Sequence, residues 1–365
     1  MLTERPIISA DSHVTEHPDT YRNHVAAADR EDAPHVVRSD DGGDHYVIPG
    51  LKGARVPVGL IAAAGKPPGE ISISGRFEDW LPGGYDPTVR LADQDRDGVH
   101  AEVLYPTIGM ILCNHPDLAY KRLHMQAFNH WMAEYCAGQP DRLLGVGQTA
   151  MRTPAEGIAD LADIKALGLR GVMLPGVPGE ADYHDPMWDP FWEAAIDIGL
   201  PLSFHILTTP NAFSQARGPV MNFAVAIIRA NQDIIGMLIY GGVFARHPAL
   251  RIVCVEADAG WAPHWMYRMD HYYERHHHLR HQVLDRLPSE YFREHIYLTF
   301  QDDWAAFRTT ELQNTERLMW ANDFPHSDST WPCSQDVLRE HTRGLSPTVR
   351  DRILHDNAAE LYGLA

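Results

Sequence analysis

Short apolar runs recur along the chain, and each one ends in polar residues. Runs of this kind are typical of strands that are buried on both faces of a parallel sheet. Eight occur in order, namely Ile7–His13, Ala101–Thr107, Leu143–Thr149, Gly171–Pro175, Pro201–Ile206, Arg251–Glu256, Ile296–Phe300 and Leu318–Phe324. The pattern therefore predicts eight buried strands.

Segments with the 3.6-residue apolar period of a helix lie between most of these strands. The clearest are Leu118–Ala137, Pro154–Leu167 and Asp189–Ile198. Strands that alternate with helices pair in parallel, and eight such units close into a barrel. We therefore expect an α/β fold, a (β/α)8 TIM barrel, as one domain over residues 1–365.

Two regions are longer than a minimal barrel needs. Residues 17–90 are rich in Gly, Pro and charge, and a connection this long after the first strand is expected to cap the catalytic face. Residues 207–240 also exceed an ordinary strand-to-helix connection. Their apolar segment Val220–Arg229 is either a surface for a partner or a wall of the site.

Composition and charge narrow the possible functions. The 365 residues are 44% hydrophobic and carry a formal net charge of −18, so a large core is expected and nucleic-acid and membrane partners are disfavoured. No uninterrupted apolar stretch is long enough for a transmembrane helix, and the first residues lack the apolar core of a signal peptide. Four widely spaced cysteines favour reduced thiols and a cytoplasmic location.

Polar residues at the strand ends carry the candidate chemistry, because barrel enzymes place their active sites at the carboxyl ends of the strands. Asp11 and His13 lie two apart on the first strand and share a face. His205 ends the fifth strand, Glu256 the sixth and Asp323 the eighth. The mixed nitrogen and oxygen set suits one divalent ion, with zinc preferred and manganese or iron as alternatives.

Each of these residues also has a simpler interpretation. A strand-end histidine is often a hydrogen-bonded core residue, and a strand-end aspartate often caps the next helix. Four such residues at strand ends in three separate parts of the chain favour a metal site holding Asp11, His13, His205 and Asp323.

Other polar and aromatic residues are weaker candidates. His326 follows Asp323 closely and either contacts substrate or hydrogen-bonds a ligand; Glu16 contacts a metal-bound water or forms an internal salt bridge. The run His276–His278 is expected to be a solvated surface, since consecutive helical residues point to different faces. Trp304 and Trp331 follow strand ends and are candidates for the wall of an apolar pocket for a ring-containing substrate.

Four segments resemble a known family. ADSHVTEHPD, GGVFARHPALRIV, GWAPHWMYRMD and WANDFPHSDSTWP are similar to the amidohydrolase-related proteins that include aminocarboxymuconate semialdehyde and γ-resorcylate decarboxylases. The resemblance implies a TIM barrel, one metal (usually zinc, sometimes manganese) and often a homodimer. It also implies an acid-x-His pair, a histidine after the fifth strand and an aspartate after the eighth as ligands, which correspond to Asp11, His13, His205 and Asp323.

One departure from the family pattern concerns the sixth strand. Decarboxylating members usually place a catalytic histidine there, whereas this chain has Glu256. A carboxylate repels an anionic substrate, so hydrolysis is preferred, with Glu256 as a base or substrate contact. The alternative for Glu256 is an ion pair with Arg251 or Arg268 and no chemistry.

Three functions follow in order of preference. In the first, a metal-activated water cleaves a C–N, C–O or C–C bond next to a carbonyl of a small molecule, and Asp323 transfers the proton. The second is non-oxidative decarboxylation of a small aromatic acid at the same metal. The third is a barrel without catalysis that only binds a ligand, which retention of all four predicted ligands disfavours.

Overall fold

The computed structural model describes residues 3–40, 42–52, 55–210, 217–279 and 284–364. The strands in these residues are, in chain order, β1 (Ile8–His13), β2 (His35–Arg38), β3 (Asp44–Val47), β4 (Arg55–Pro57), β5 (Ala101–Tyr105), β6 (Leu143–Gln148), β7 (Gly171–Leu174), β8 (Leu202–His205), β9 (Ile252–Val255), β10 (Ile296–Phe300) and β11 (Leu318–Trp320).

Eight of these strands form the predicted barrel. They are parallel and lie in the order β1-β5-β6-β7-β8-β9-β10-β11. The segment after β11 returns to β1 through backbone hydrogen bonds from the amides of Asp323 to Asp11 (3.1 Å) and of His13 to Phe324 (2.7 Å). The (β/α)8 prediction is confirmed, and β11 is shorter than predicted because the backbone leaves the strand before Asp323.

The helices follow the strands as the apolar periodicity predicts. They are α1 (Thr20–Asn23), α2 (Val58–Ile61), α3 (Pro87–Asp97), α4 (Ile108–Leu112), α5 (Leu118–Cys136), α6 (Pro154–Ala166), α7 (Asp189–Ile198), α8 (Phe223–Ala226), α9 (Ile228–Tyr240), α10 (Val243–Arg246), α11 (Ala262–His276), α12 (Pro288–His295), α13 (Trp304–Arg308), α14 (Ser334–His341), α15 (Pro347–Asp351) and α16 (Asn357–Tyr362), with a π-helical turn at Arg352–Asp356.

Local capping determines where the long helices start. The side chain of Asp117 accepts hydrogen bonds from the first amides of α5, and Asp86 does the same for α3. These bonds satisfy amide groups that have no partner within the helix. At the other end of α3, Gly98 adopts φ 71°, a conformation that glycine takes without steric cost.

The insertion after β1 lies at the carboxyl ends of the strands. It contains the antiparallel sheet β2-β3-β4, and its last predicted residues belong instead to α3. The Ala64 amide donates to Pro325 O (3.0 Å), and the Ser327 amide donates to Leu60 O (3.1 Å). At Gly84, a Cβ atom would lie 1.9 Å from Thr15 Oγ1, so only glycine permits this close approach. The insertion therefore covers part of the barrel mouth.

The second long region is partly the regular barrel helix. Within 207–240, α9 packs on the barrel, where Asn231 Nδ2 donates to Phe204 O (3.0 Å) and Val255 O (3.3 Å). The segment Val220–Arg229 begins this helical stretch, with Met221 and Val225 exposed. Residues 211–216 lie outside the described residues, so the extension before the helix is described only in part.

The same stretch passes a length-and-composition test for a membrane span. Phe223–Tyr240 has a mean hydropathy of 1.3 over 18 residues, of which 39% are buried. One such helix is weak evidence, because helices that pack on a protein core pass the same test. Here the apolar face formed by Ile234, Ile235, Leu238 and Ile239 is buried in the core, which accounts for the composition.

Candidate metal centre

Six ionisable side chains converge at the mouth of the barrel. They come from the ends of four strands and are Asp11, His13, His205, Glu256, Asp323 and His326. The atoms that these side chains offer fall into two overlapping groups, each within 4.8 Å, and both groups contain His13 and Glu256. Every residue that the sequence predicted as a metal ligand therefore lies in this cluster.

The distances within the cluster are those of ligands around one ion. His13 Nε2 lies 3.1 Å from His205 Nε2 and 3.5 Å from Asp11 Oδ1. It also lies 3.6 Å from Asp323 Oδ1. Ligands bound about 2.1 Å from an ion at angles near 90–110° lie roughly 3.0–3.5 Å apart. The cluster thus encloses a space of ionic size.

The two central imidazoles direct lone pairs at each other. His13 Nδ1 faces Pro106 O (3.1 Å), and His205 Nδ1 faces Ile206 O (3.2 Å). Because a carbonyl only accepts, each Nδ1 carries the proton and each Nε2 presents its lone pair to the cluster. Two lone pairs this close repel each other unless a cation lies between them.

The carboxylates of the cluster also indicate that a cation binds there. Both carboxylate oxygens of Asp11 and of Asp323, and Oε2 of Glu256, are buried without a hydrogen-bond partner among the described residues. Buried carboxylate oxygens without donors are costly, and they are common where a metal ion binds. The donor set of imidazole nitrogen and carboxylate oxygen fits a divalent cation.

Burial and mutual repulsion shift the pKa values of this cluster in the expected directions. Burial, followed by the Asp323 and Asp11 carboxylates, raises the pKa of Glu256 well above its usual range. Burial and then Asp11 raise the pKa of Asp323 in the same way. For the imidazoles, burial lowers the pKa of His13 and brings that of His326 to about 4. The neighbouring side chains therefore do not neutralise the negative charge of these carboxylates, whereas a divalent cation would.

Several strand ends adopt a backbone conformation that is uncommon outside glycine. Glu256 has φ 54° and Asp323 has φ 52°, and Leu207 after β8 has φ 66°. Non-glycine residues adopt positive φ at a cost of about 1–3 kcal/mol, and they do so mainly at functional sites. The strain turns Glu256 and Asp323 away from regular strand geometry and towards the cluster.

Arg90 supports the backbone beside the cluster, and no sequence pattern indicates this role. This fully buried residue of α3 donates to His13 O (2.7 Å) and Phe324 O (3.4 Å) and pairs with Glu102. Glu102 also accepts from Asn322 (3.2 Å). Arg90 therefore ties the backbone beside His13 to the backbone beside Asp323.

Replacing Arg90 by methionine is expected to destabilise the protein by about 3–5 kcal/mol, because Glu102 is left buried without its charged partner. Urea unfolding of the metal-free protein measures the change. The exposed pair Arg339–Asp336 supplies a control, and Arg339→Met is expected to cost at most about 1 kcal/mol. An Arg90→Met protein as stable as Arg339→Met would refute the supporting role.

Three sequence-based expectations are corrected. Glu256 pairs with neither proposed arginine: its Oε2 lies 3.4 Å from His205 Nε2, whereas Arg251 contacts His295 and Arg268 is exposed. Glu16 forms no internal salt bridge to a described residue, because its carboxylate accepts from the Ile108 (2.9 Å) and Gly109 (3.1 Å) amides at the start of α4.

The third correction concerns the two tryptophans expected to line a pocket. Trp304 is 64% exposed, and Trp331 is buried against Phe324 and Ala64 with its Nε1 donating to Asp93 O (3.0 Å). Trp331 therefore packs between the insertion and the barrel. The run His276–His278 lies where α11 ends, half-buried to exposed, as a surface segment would.

Comparison with known proteins identifies the family to which this barrel belongs. A sequence profile described as amidohydrolase matches residues 21–364. The chain belongs to the amidohydrolase family, and it is an enzyme of that superfamily. The matched segment begins after Asp11 and His13, so these two side chains are assigned to the site by the geometry above.

Among curated proteins, the chain is similar to γ-resorcylate decarboxylases. It is 26% identical over 265 residues to that of Rhodococcus jostii, a match covering 65% of this chain and 75% of the relative. It is 26% identical over 223 residues to that of Rhizobium sp. strain MTP-10005, covering 54% and 64%.

Solved structures share the fold over almost the whole chain. An amidohydrolase from Mycobacterium avium subsp. paratuberculosis has TM-score 0.80 at 20% identity, covering 99% of this chain and all of that one. The 5-carboxyvanillate decarboxylase of Sphingomonas paucimobilis has TM-score 0.70 at 22% identity, with both chains fully covered. A dihydroxybenzoic acid decarboxylase from Polaromonas with bound manganese has TM-score 0.63 at 19% identity, covering 99% and 97%.

Proposed function

We propose that this protein is a metal-dependent decarboxylase that releases CO2, without oxidation, from a small aromatic acid with an oxygen substituent beside the carboxylate. The observation that carries the proposal is the approach of Asp11, His205 and Asp323 to within 3.1–3.6 Å of His13 Nε2. The curated relatives named above are decarboxylases of such an acid, which favours this chemistry over the hydrolysis preferred from sequence.

Asp11, His13, His205 and Asp323 would hold the ion. When bound, it supplies positive charge that holds the substrate carboxylate and the neighbouring oxygen. Zinc is the metal expected from sequence, and the manganese bound in the Polaromonas enzyme supports manganese as the alternative. Two nitrogens and two oxygens suit both metals.

Glu256 is placed to touch the substrate. Its side chain is 14% exposed and that of His326 is 12% exposed, whereas Asp11, His13, His205 and Asp323 are fully buried. Glu256 therefore faces the entrance. In our proposal its carboxyl group gives a proton to the ring carbon that bears the carboxylate. The C–C bond then breaks, its electrons return to the ring as CO2 leaves, and Glu256 regains a proton from solvent.

Hydrolysis is the second candidate, and one observation favours it. Glu256 brings a third carboxylate beside Asp11 and Asp323, and a carboxylate serves well as the base for a metal-activated water. It would act on a C–N, C–O or C–C bond next to a carbonyl. The proposals differ in their products, because only decarboxylation releases CO2 from an acid without an ester or amide bond.

Product analysis on the manganese- and zinc-loaded protein tests both candidates. The substrates are 2,6-dihydroxybenzoate and 5-carboxyvanillate for CO2 release, and aryl esters, lactones and anilides for hydrolysis. We expect CO2 and the decarboxylated phenol, loss of activity after chelation, and recovery with added metal. Hydrolysis of an ester, lactone or amide without CO2 from any hydroxybenzoate would refute decarboxylation and support the second candidate.

Other properties stay predictions from sequence. They are the single domain over residues 1–365, a homodimer, a cytoplasmic location, and a small molecule rather than nucleic acid or membrane as the partner. Size-exclusion chromatography with light scattering tests the homodimer directly.

A further inference from the structure

His326 lies in the cluster but is not one of the four predicted ligands. Its ring stacks on that of His13, with centroids 4.0 Å apart. Its Nδ1 lies 3.0 Å from Asp323 Oδ1, and its Nε2 lies 2.9 Å from Thr107 Oγ1. Both nitrogens of this ring therefore have a close neighbour.

The hydroxyl group of Thr107 determines which nitrogen of His326 carries a proton. Thr107 Oγ1 lies 2.6 Å from Val14 O, and since a carbonyl has no hydrogen, the single hydroxyl hydrogen must lie between these two oxygens. Thr107 then has only a lone pair to offer His326. The hydrogen of the second bond must come from His326 Nε2.

The other nitrogen of a neutral His326 ring consequently presents a lone pair to a carboxylate. One ring nitrogen of His326 lies within 4.8 Å of the ligand atoms of His13, Glu256 and Asp323, and Nδ1 is the nitrogen beside Asp323 Oδ1. A lone pair at 3.0 Å from an ionised Asp323 Oδ1 is repelled by it, and a cation bound to both atoms removes this repulsion. The lone pairs of His13 Nε2 and His205 Nε2 face each other in the same way.

We propose that Thr107 holds His326 in the Nε2-protonated tautomer, and that His326 Nδ1 is a third imidazole ligand of the ion. The inference rests on the metal site of the proposed function and deepens it. A third imidazole makes the site richer in nitrogen, and imidazole suits zinc and iron more than manganese. His326 therefore shifts the metal preference of this chain towards zinc or iron(II).

X-ray absorption spectroscopy of the zinc-loaded protein counts its imidazole ligands without measuring activity. We expect three imidazoles in the wild type and two in His326→Ala. Two imidazoles in the zinc-loaded wild type would overturn the inference, with His326 then a protonated partner of Asp323, and would leave the proposed function standing. A wild type that binds no zinc, manganese or iron would instead overturn the metal site itself.

Two substitutions at Thr107 test the positioning role. Thr107→Val keeps the shape but removes the acceptor, whereas Thr107→Ser keeps the hydroxyl group. Titration of the metal-free proteins with zinc is expected to show affinity lowered about 10- to 100-fold in Thr107→Val and restored to within a few-fold of the wild type in Thr107→Ser. Circular dichroism checks that both variants fold. Equal zinc affinity in folded Thr107→Val and wild type would refute the role of Thr107.

Discussion

Replacing His205 by alanine is expected to lower metal affinity by roughly 100-fold or more and to abolish CO2 release. His205 is fully buried at the end of β8, and its Nε2 faces His13 Nε2 at 3.1 Å. Groups that only orient metal ligands typically account for about 10- to 100-fold in affinity, so loss of a ligand should cost at least as much. Elemental analysis of dialysed protein and metal titration measure the effect.

His278→Ala is the matched control for this experiment. His278 is exposed near the end of α11, outside the cluster, so its loss should leave metal content and activity unchanged. Thermal unfolding of both metal-free variants separates loss of metal from loss of fold. One metal ion per chain in dialysed His205→Ala, held as tightly as in His278→Ala, would refute the site.

Glu256→Gln is expected to lower kcat by about 10²- to 10⁴-fold while the metal stays bound, because the amide has the shape of the acid but gives no proton. The exposed Glu311→Gln is the matched control and should behave as wild type. Product formation from the active aromatic acid, with metal content measured on the same samples, provides the readout.

Glu256→His separates the possible roles of this residue. An imidazole also carries a proton, so the histidine variant should recover part of the activity that the glutamine variant loses. If Glu256→Gln loses metal instead of kcat, Glu256 is a ligand and not the proton donor. Full activity in Glu256→Gln would exclude any role in proton transfer.

Glu256 is also where sequence and comparison favour different functions. From sequence, a carboxylate in place of the expected histidine favours hydrolysis, because an ionised carboxylate repels an anionic acid. In the structure, burial and the carboxylates of Asp323 and Asp11 raise the pKa of Glu256, which favours the protonated and uncharged form. The sequence-based objection to decarboxylation assumes an ionised Glu256, and in the metal-free protein burial disfavours that form.

The barrel and the identity of the clustered residues can be predicted from the amino-acid sequence. Buried parallel strands need continuous apolar runs, so β5 and β10 are recognisable without a structure. Barrel topology brings all carboxyl ends to one face. The polar residues that end the runs, such as Asp11 and His205, could therefore be expected to meet although they are distant in the chain.

The contacts that hold these residues in place are visible only in the folded chain. Three contacts join segments that share no sequence pattern. The guanidinium of Arg90 donates to the backbone of His13, the hydroxyl of Thr107 lies beside His326, and Glu16 accepts from the first amides of α4. Strand periodicity records which face of a strand is buried, whereas hydrogen-bond direction depends on the atoms that folding brings within about 3 Å. The direction of each lone pair in the site is therefore a property of the folded chain.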